Sequence, residues 1–109
     1  MLDLKSQDSE ELNRILKTFL PNHTVWAFGS RVTGNAKPYS DLDLVIVTTQ
    51  PLSLSVMAEL KTAFAESDLT IRVDLVDWAV TSDTFRNIIQ QNKLVVQEGD
   101  FETDEDNNH

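Results

Sequence analysis

The sequence predicts an α/β fold, in which helices pack on a small mixed β-sheet. Three observations carry that prediction. Apolar stripes of helical period alternate along the chain with apolar runs of strand length. The 109 residues suffice for one domain with a modest core. The most distinctive stretch, Gly29 to Leu44 (GSRVTGNAKPYSDLDL), lies between two of the apolar runs, where a strand-turn-strand unit is expected.

Taken in order, Asp8 with Glu11 three residues on reads as a capping box, with Asp in place of Ser or Thr. Leu12, Ile15, Leu16, Phe19 and Leu20 then form a helical stripe, which Pro21-Asn22 stops. Thr24 to Phe28 reads as a strand, Ser30 to Gly34 as a helical turn, and Asn35 to Tyr39 as a loop holding Pro38. Leu42 to Thr48 is a strand with little alternation beyond its carboxylates, and therefore central in the sheet. Pro51 opens a second helix near Leu52 to Glu66, with Leu54, Met57, Leu60 and Phe64 on one face. Thr70 to Val76 is the third strand. Ser82 to Asn92 is a helix carrying Phe85, Ile88 and Ile89, and Leu94 to Val96 is a short last strand. The domain is expected to occupy residues 1–98, and the composition of 99–109 predicts an acidic, disordered tail.

Charge and composition narrow the function. The net charge is −9, but six of the 18 acids lie from Glu98 onward, with no Lys or Arg among them. Residues 1–97 hold 12 acids and 9 bases, a net of −3. No basic face is visible, so a polynucleotide template is not expected. The absence of cysteine excludes disulfides and thiolate metal sites. No apolar run approaches the roughly 20 residues that span a bilayer. Residues 1–5, Met-Leu-Asp-Leu-Lys, lack the basic start and long apolar core of a signal peptide. A cytoplasmic protein with no membrane contact is expected.

The chemistry is concentrated in the Gly29–Leu44 stretch. Asp41 and Asp43, spaced i, i+2 on an extended segment, point the same way. Two like charges side by side repel unless a cation sits between them, and hard carboxylate oxygens suit magnesium. Strand interiors disfavour Asp, so a pair there needs a reason. Gly29-Ser30 supplies a turn in which backbone can approach a ligand closely and amides at a helix start can hold phosphate. Ser30 as a simple cap uses the same geometry. Arg31 and Lys37 are the nearest cations to that turn. Asp74, in the apolar run Ile71 to Val76, is a third candidate ligand, with an ion pair to Arg72 as the alternative. Asp77, three residues on, faces oppositely and reads as a loop or capping acid. Tyr39 either stacks on a base or packs the loop, Trp26 belongs to the core, and Trp78 is core or interface. Neither His23 nor His109 has a ligand-spaced partner.

Gly-Ser, a spacer, Asp-x-Asp and a later strand Asp together resemble the nucleotidyltransferase superfamily typified by DNA polymerase beta. The small size and surrounding words resemble its minimal nucleotidyltransferase (MNT) group, from about Val25 to Glu98. That resemblance implies the polymerase beta-like nucleotidyltransferase fold. It also implies two magnesium ions and ATP as donor. Asp41 and Asp43 would hold both ions, with Asp74 joining them on the acceptor side. Gly29 and Ser30 would grip the β- and γ-phosphates, and Arg31 and Ser40 complete the implied nucleotide-binding set. MNT proteins are often encoded beside a helical HEPN partner, as antitoxin to its toxin. The resemblance therefore implies a hetero-oligomer in which AMP passes to a tyrosine of the partner. The competing readings are an antitoxin that blocks its toxin sterically and a small-molecule nucleotidyltransferase. An intact acidic triad argues against the first, because clustered carboxylates repel without a metal. The short chain argues against the second, because small-molecule transferases of this superfamily usually add a substrate domain.

Overall fold

The computed structural model describes residues 2–99. The expected acidic tail lies outside these, apart from Gly99. The elements run α1 (Ser6–Phe19), β1 (Thr24–Phe28), α2 (Ser30–Thr33), β2 (Leu42–Val47), α3 (Leu54–Ala65), β3 (Val73–Asp77), a 3₁₀ turn (Trp78–Val80), α4 (Asp83–Gln91) and β4 (Leu94–Gln97). The sheet order is β3-β2-β1-β4. β1 pairs antiparallel with β2 and β4, whereas β2 and β3 are parallel and joined through α3. This is the mixed α/β sheet the sequence predicts, with β2 interior as its apolar character requires. No helix among the described residues is long and apolar enough to cross a membrane.

Strand alternation divides the side chains between two faces. Val25, Ala27, Leu42, Leu44 and Ile46 point to the main core. There they meet Leu12, Ile15 and Leu16 of α1 and Leu60 and Phe64 of α3. Trp26, Phe28, Val45 and Val76 point the other way, to a smaller cluster closed by Ile89 and Phe85 of α4 and by Trp78. Edge-to-face pairs reinforce this second cluster, Trp26 on Trp78 at 5.3 Å and Phe28 on Phe85 at 5.6 Å between ring centroids.

Several local expectations are corrected. Asp8 is not a cap: Lys5 is the N-cap of α1, and Asp8 sits inside the helix, 2 % exposed. Its carboxylate accepts from the Thr70 amide at 3.0 Å and the Thr70 hydroxyl at 2.6 Å. Phe19 and Ile88 are exposed, because they lie at the margins of their helical stripes. α3 starts at Leu54, after Ser53 caps it by accepting from the Val56 amide, so Leu54 falls on the first turn beyond the core and is 89 % exposed. β3 starts at Val73 rather than Thr70, because Asp8 and Glu11 hold the amides of Thr70 and Asp68.

These two carboxylates tie α1 to the segment leading into β3, and they make the fold acid-sensitive. Burial raises the Asp8 pKa, but the two Thr70 hydrogen bonds, helped by Lys5 and Arg31, outweigh it and hold the group below its ordinary 3.8. The hydrogen bonds from Arg14, with that from the Asp68 amide, lower Glu11 from 4.5 to about 2. A depressed carboxylate pKa contributes stability above the unfolded-state value that is lost as pH falls through the folded-state value. Asp8→Asn is therefore expected to cost about 1–2 kcal/mol at pH 7, where a charged acceptor of two part-buried hydrogen bonds becomes a neutral one. Denaturant titrations should show the difference between variant and parent shrinking as pH falls below the ordinary aspartate range. A pH-independent difference would rule out the charge as its source.

Candidate active site

β2 and β3 run parallel in a register that sets Asp43 directly beside Asp74. Neighbouring strands lie about 4.8 Å apart, so the two carboxylates share one face of the sheet. It is the α4 face, the one that Val45 and Val76 share two residues further along. Those two valines are covered, while Asp43 is half-buried and Asp74 exposed. Asp41, two residues before Asp43, is exposed at the entry to β2. The face therefore passes from a packed apolar end to an open acidic end. Asp77, on the opposite parity, points away from it and accepts from the Thr48 hydroxyl and from the amides of Leu52 (2.8 Å) and Ala79 (3.1 Å). It caps the 3₁₀ turn, as a capping acid should.

The Gly-Ser turn lies against this acidic end. Gly29 follows Phe28, the register partner of Asp43 on β1. Gly29 has φ +81°, in the left-handed region that favours glycine. A Cβ there would collide with Oδ2 of Asp43, with Cγ of the same carboxylate only 3.3 Å away. Backbone thus packs directly on the carboxylate, which only glycine permits. Gly29, not Ser30, is the N-cap of α2, and no side chain caps the helix. Ser30 is therefore not spent on capping. A four-residue helix has no internal acceptor for its first amides, so those of Ser30 and Arg31 have no bond within α2.

The electrostatics of the acidic end follow from its packing. Burial, then the Asp74 charge and the Asp41 charge, raises the Asp43 pKa above its ordinary value. Two of those three causes are repulsions that a bound cation would reverse. Among the described residues no three acidic or imidazole side chains close into a protein-only metal cage. Magnesium does not need one, because it takes one or two carboxylates and completes its shell with water and phosphate oxygens. The open donor set fits magnesium carried in with a nucleotide. The Asp74–Arg72 ion pair considered from sequence is absent among the described residues.

Other candidates are placed differently from their expected positions. Arg31 is 6 % exposed, and its guanidinium is engaged by the carbonyls of Asp3, Lys37, Pro38 and Ser40. Ser40 accepts through its hydroxyl from the Lys37 amide and so closes the loop on itself. Sequence offered no sign of this, since every partner of the guanidinium is a backbone carbonyl. Lys37 and Tyr39 are exposed on that loop. Trp26, Trp78 and Phe85 are each half-buried and pack within the second cluster. Among the described residues the large apolar side chains left exposed are Phe19, Tyr39, Leu54, Val80, Ile88 and Val95.

Known proteins resemble this chain in sequence and fold. A family model described as "Polymerase beta, Nucleotidyltransferase" matches residues 10–101. Probable protein adenylyltransferase MntA of Haemophilus influenzae is 54 % identical over 97 residues, covering 89 % of this chain and 85 % of that one. Among solved structures, a toxin–antitoxin complex with AMP-PNP superposes with a TM-score of 0.70 at 21 % identity, over 86 % of this chain and 76 % of that one. A tri-AMPylated Shewanella oneidensis HEPN toxin in complex with MNT antitoxin gives a TM-score of 0.65 at 19 % identity, over 93 % and 78 %. At those identities the superpositions speak to the fold. The family match over most of the chain goes further, and with the acidic pair beneath a glycine turn it leads to one assignment: this chain belongs to the polymerase beta nucleotidyltransferase family.

Proposed function

We propose that this chain is a protein adenylyltransferase that moves AMP from ATP to a hydroxyl, a tyrosine of a HEPN-type helical partner, and thereby acts as that toxin's antitoxin. The tyrosine oxygen bonds to the α-phosphorus as the α–β phosphoanhydride bond breaks, and pyrophosphate leaves. The observation that carries the reading is Asp43 set beside Asp74 in register, with the Gly29 backbone packed on Asp43. The similarity to an adenylyltransferase at 54 % identity supports the choice of AMP and of a protein acceptor.

Asp41, Asp43 and Asp74 would hold magnesium, in the two-ion arrangement the family resemblance implies. When bound, the metal supplies charge neutralisation at the triphosphate and acidifies the acceptor hydroxyl. Gly29 brings backbone close enough for the Ser30 and Arg31 amides and the Ser30 hydroxyl to receive phosphate oxygens. Asp43, half-buried and pressed by backbone, fixes the donor side. Asp74, exposed at the edge of the sheet, is open to an acceptor and able to take its proton. The catalytic domain is assigned to residues 1–98, in the cytoplasm and without a nucleic-acid template.

A partner is part of this reading because the site is open. A ligand site normally encloses most of its ligand, and one sheet face beside a glycine turn offers a single wall. Mixing the chain with its HEPN partner, ATP and magnesium should yield a stable complex. Intact mass spectrometry should show the partner heavier by one or more AMP units. A partner that is bound and inhibited yet unmodified would replace catalysis with steric blocking.

A further inference from the structure

Arg31 is the feature of the molecule that the proposed chemistry leaves unexplained. A buried guanidinium is costly unless it is paired. Yet no carboxylate among the described residues forms an ion pair with it. It is held by carbonyl oxygens instead: Nε donates to Ser40 at 2.9 Å, Nη1 to Asp3 at 2.9 Å, and Nη2 to Lys37 and Pro38 at 3.3 and 3.1 Å. The arrangement is reciprocal at the chain's start, since the Asp3 amide donates to the Arg31 carbonyl at 2.9 Å.

The places joined by these bonds are specific. Arg31 follows Ser30 in α2, so its backbone belongs to the proposed phosphate turn. Ser40 is joined by its own carbonyl group to Asp41. The loop between them is closed internally, the Ser40 amide donating to Lys37 at 3.0 Å and the Lys37 amide to the Ser40 hydroxyl at 2.9 Å. One step beyond Asp41, the Leu42 amide enters the sheet by donating to Arg72 at 2.8 Å. Asp41 thus hangs between two fixed points, one of them the guanidinium. The planar fork of arginine donates along several fixed directions, which a lysine ammonium on its flexible stem cannot reproduce.

We propose that Arg31 is a positioning residue: its buried guanidinium fixes the Lys37–Ser40 loop, and through it Asp41 and Asp43, relative to the Gly29–Ser30 turn, with the N-terminal segment at Asp3 as the fourth anchor. This rests on the assignment of Asp41 and Asp43 to the reaction. It assigns Arg31 a role through backbone geometry, not through contact with phosphate. Misplacing reactive groups by about 1 Å costs on the order of 100-fold in rate.

The test compares Arg31→Lys, Arg31→Met and a chain lacking residues 1–4 with the parent. AMP transfer is followed with magnesium–ATP, and amide hydrogen exchange is followed at Ser40. Both substitutions should lower kcat by about 100-fold, leave KM for magnesium–ATP within roughly threefold, and speed exchange at Ser40. The shortened chain keeps Arg31 and its three loop carbonyls, so it should lose less kcat and show a smaller rise in exchange. A KM rise in Arg31→Met that Arg31→Lys restores would mark a phosphate contact and overturn the proposal, as would unchanged kcat in folded variants. If neither substitution folds, the parent decides: a Ser40 amide that exchanges as fast as the exposed, unbonded amides overturns the proposal. A parent chain that transfers no AMP would reject the adenylyltransferase reading, while Ser40 exchange would still report on the clamp.

Discussion

Asp43→Asn is expected to abolish magnesium-dependent ATP binding and AMP transfer while leaving the fold intact. The amide keeps the size of the carboxylate beneath Gly29, so the backbone packed on it need not move. What changes is charge. The Asp43 pKa is raised, by burial first and then by the charges of Asp74 and Asp41. A raised carboxylate pKa contributes stability below the unfolded-state value that is lost as pH rises through the folded-state value. At neutral pH the metal-free parent therefore carries a repulsion that the variant lacks. The variant should melt at the same temperature as the parent or slightly higher, and magnesium–ATP should raise the melting temperature of the parent alone. Turnover should fall by at least about 10³-fold, the scale of losing a group that stabilises transition-state charge. Equal magnesium–ATP affinity in both proteins by calorimetry would remove Asp43 from the site.

The parts of this site legible in the sequence are those whose cause is local. Asp41-Leu42-Asp43 is visible because strand period places both acids on one face, and Gly29 because a turn leaves an apolar strand there. The orientation of Asp77 was legible for the same reason, its parity against Asp74. The pairing of Asp43 with Asp74 rests on a parallel register that no local pattern encodes. Asp8 was misread because an acid three residues before a glutamate looks alike whether it caps a helix or faces a loop, and its partner Thr70 is 62 residues away. Arg31 reads from sequence as a cation near the phosphate turn, because a basic residue beside Gly-Ser suggests an anion. Carbonyl oxygens, which bind it instead, have no signature in side-chain identity. Leu54 shows a further limit: a stripe of helical period continues past the end of the surface it packs on, and the sequence does not mark where that surface stops.

Asp74→Ala and Asp77→Ala should separate chemistry from architecture, although the two acids lie three residues apart in one strand. Asp74 is exposed at the edge of the sheet, in register with Asp43, and no hydrogen bond or ion pair among the described residues depends on it. Removing it takes away one source of the repulsion on Asp43, so the fold should lose no stability. Turnover should drop by about 10³-fold, as for loss of a positioned base and acceptor-side ligand, with little change in nucleotide affinity. Asp77 is 7 % exposed and accepts from Thr48, Leu52 and Ala79, joining the end of β2 and the start of the α3 segment to the 3₁₀ turn. Its loss leaves the Thr48 hydroxyl and the Leu52 amide without their acceptor, while the Ala79 amide keeps the Thr48 hydroxyl oxygen, and should cost about 3 kcal/mol. For a domain of this size that is on the order of 15 °C or more in melting temperature. Below its melting temperature the Asp77 variant should turn over nearly as the parent does, because the lost carboxylate faces the core and not the nucleotide. The two variants thus predict opposite patterns, one stable and inactive, the other unstable and active while folded. If Asp77→Ala is the stable, inactive protein and Asp74→Ala the unstable one, the third carboxylate of the site is Asp77.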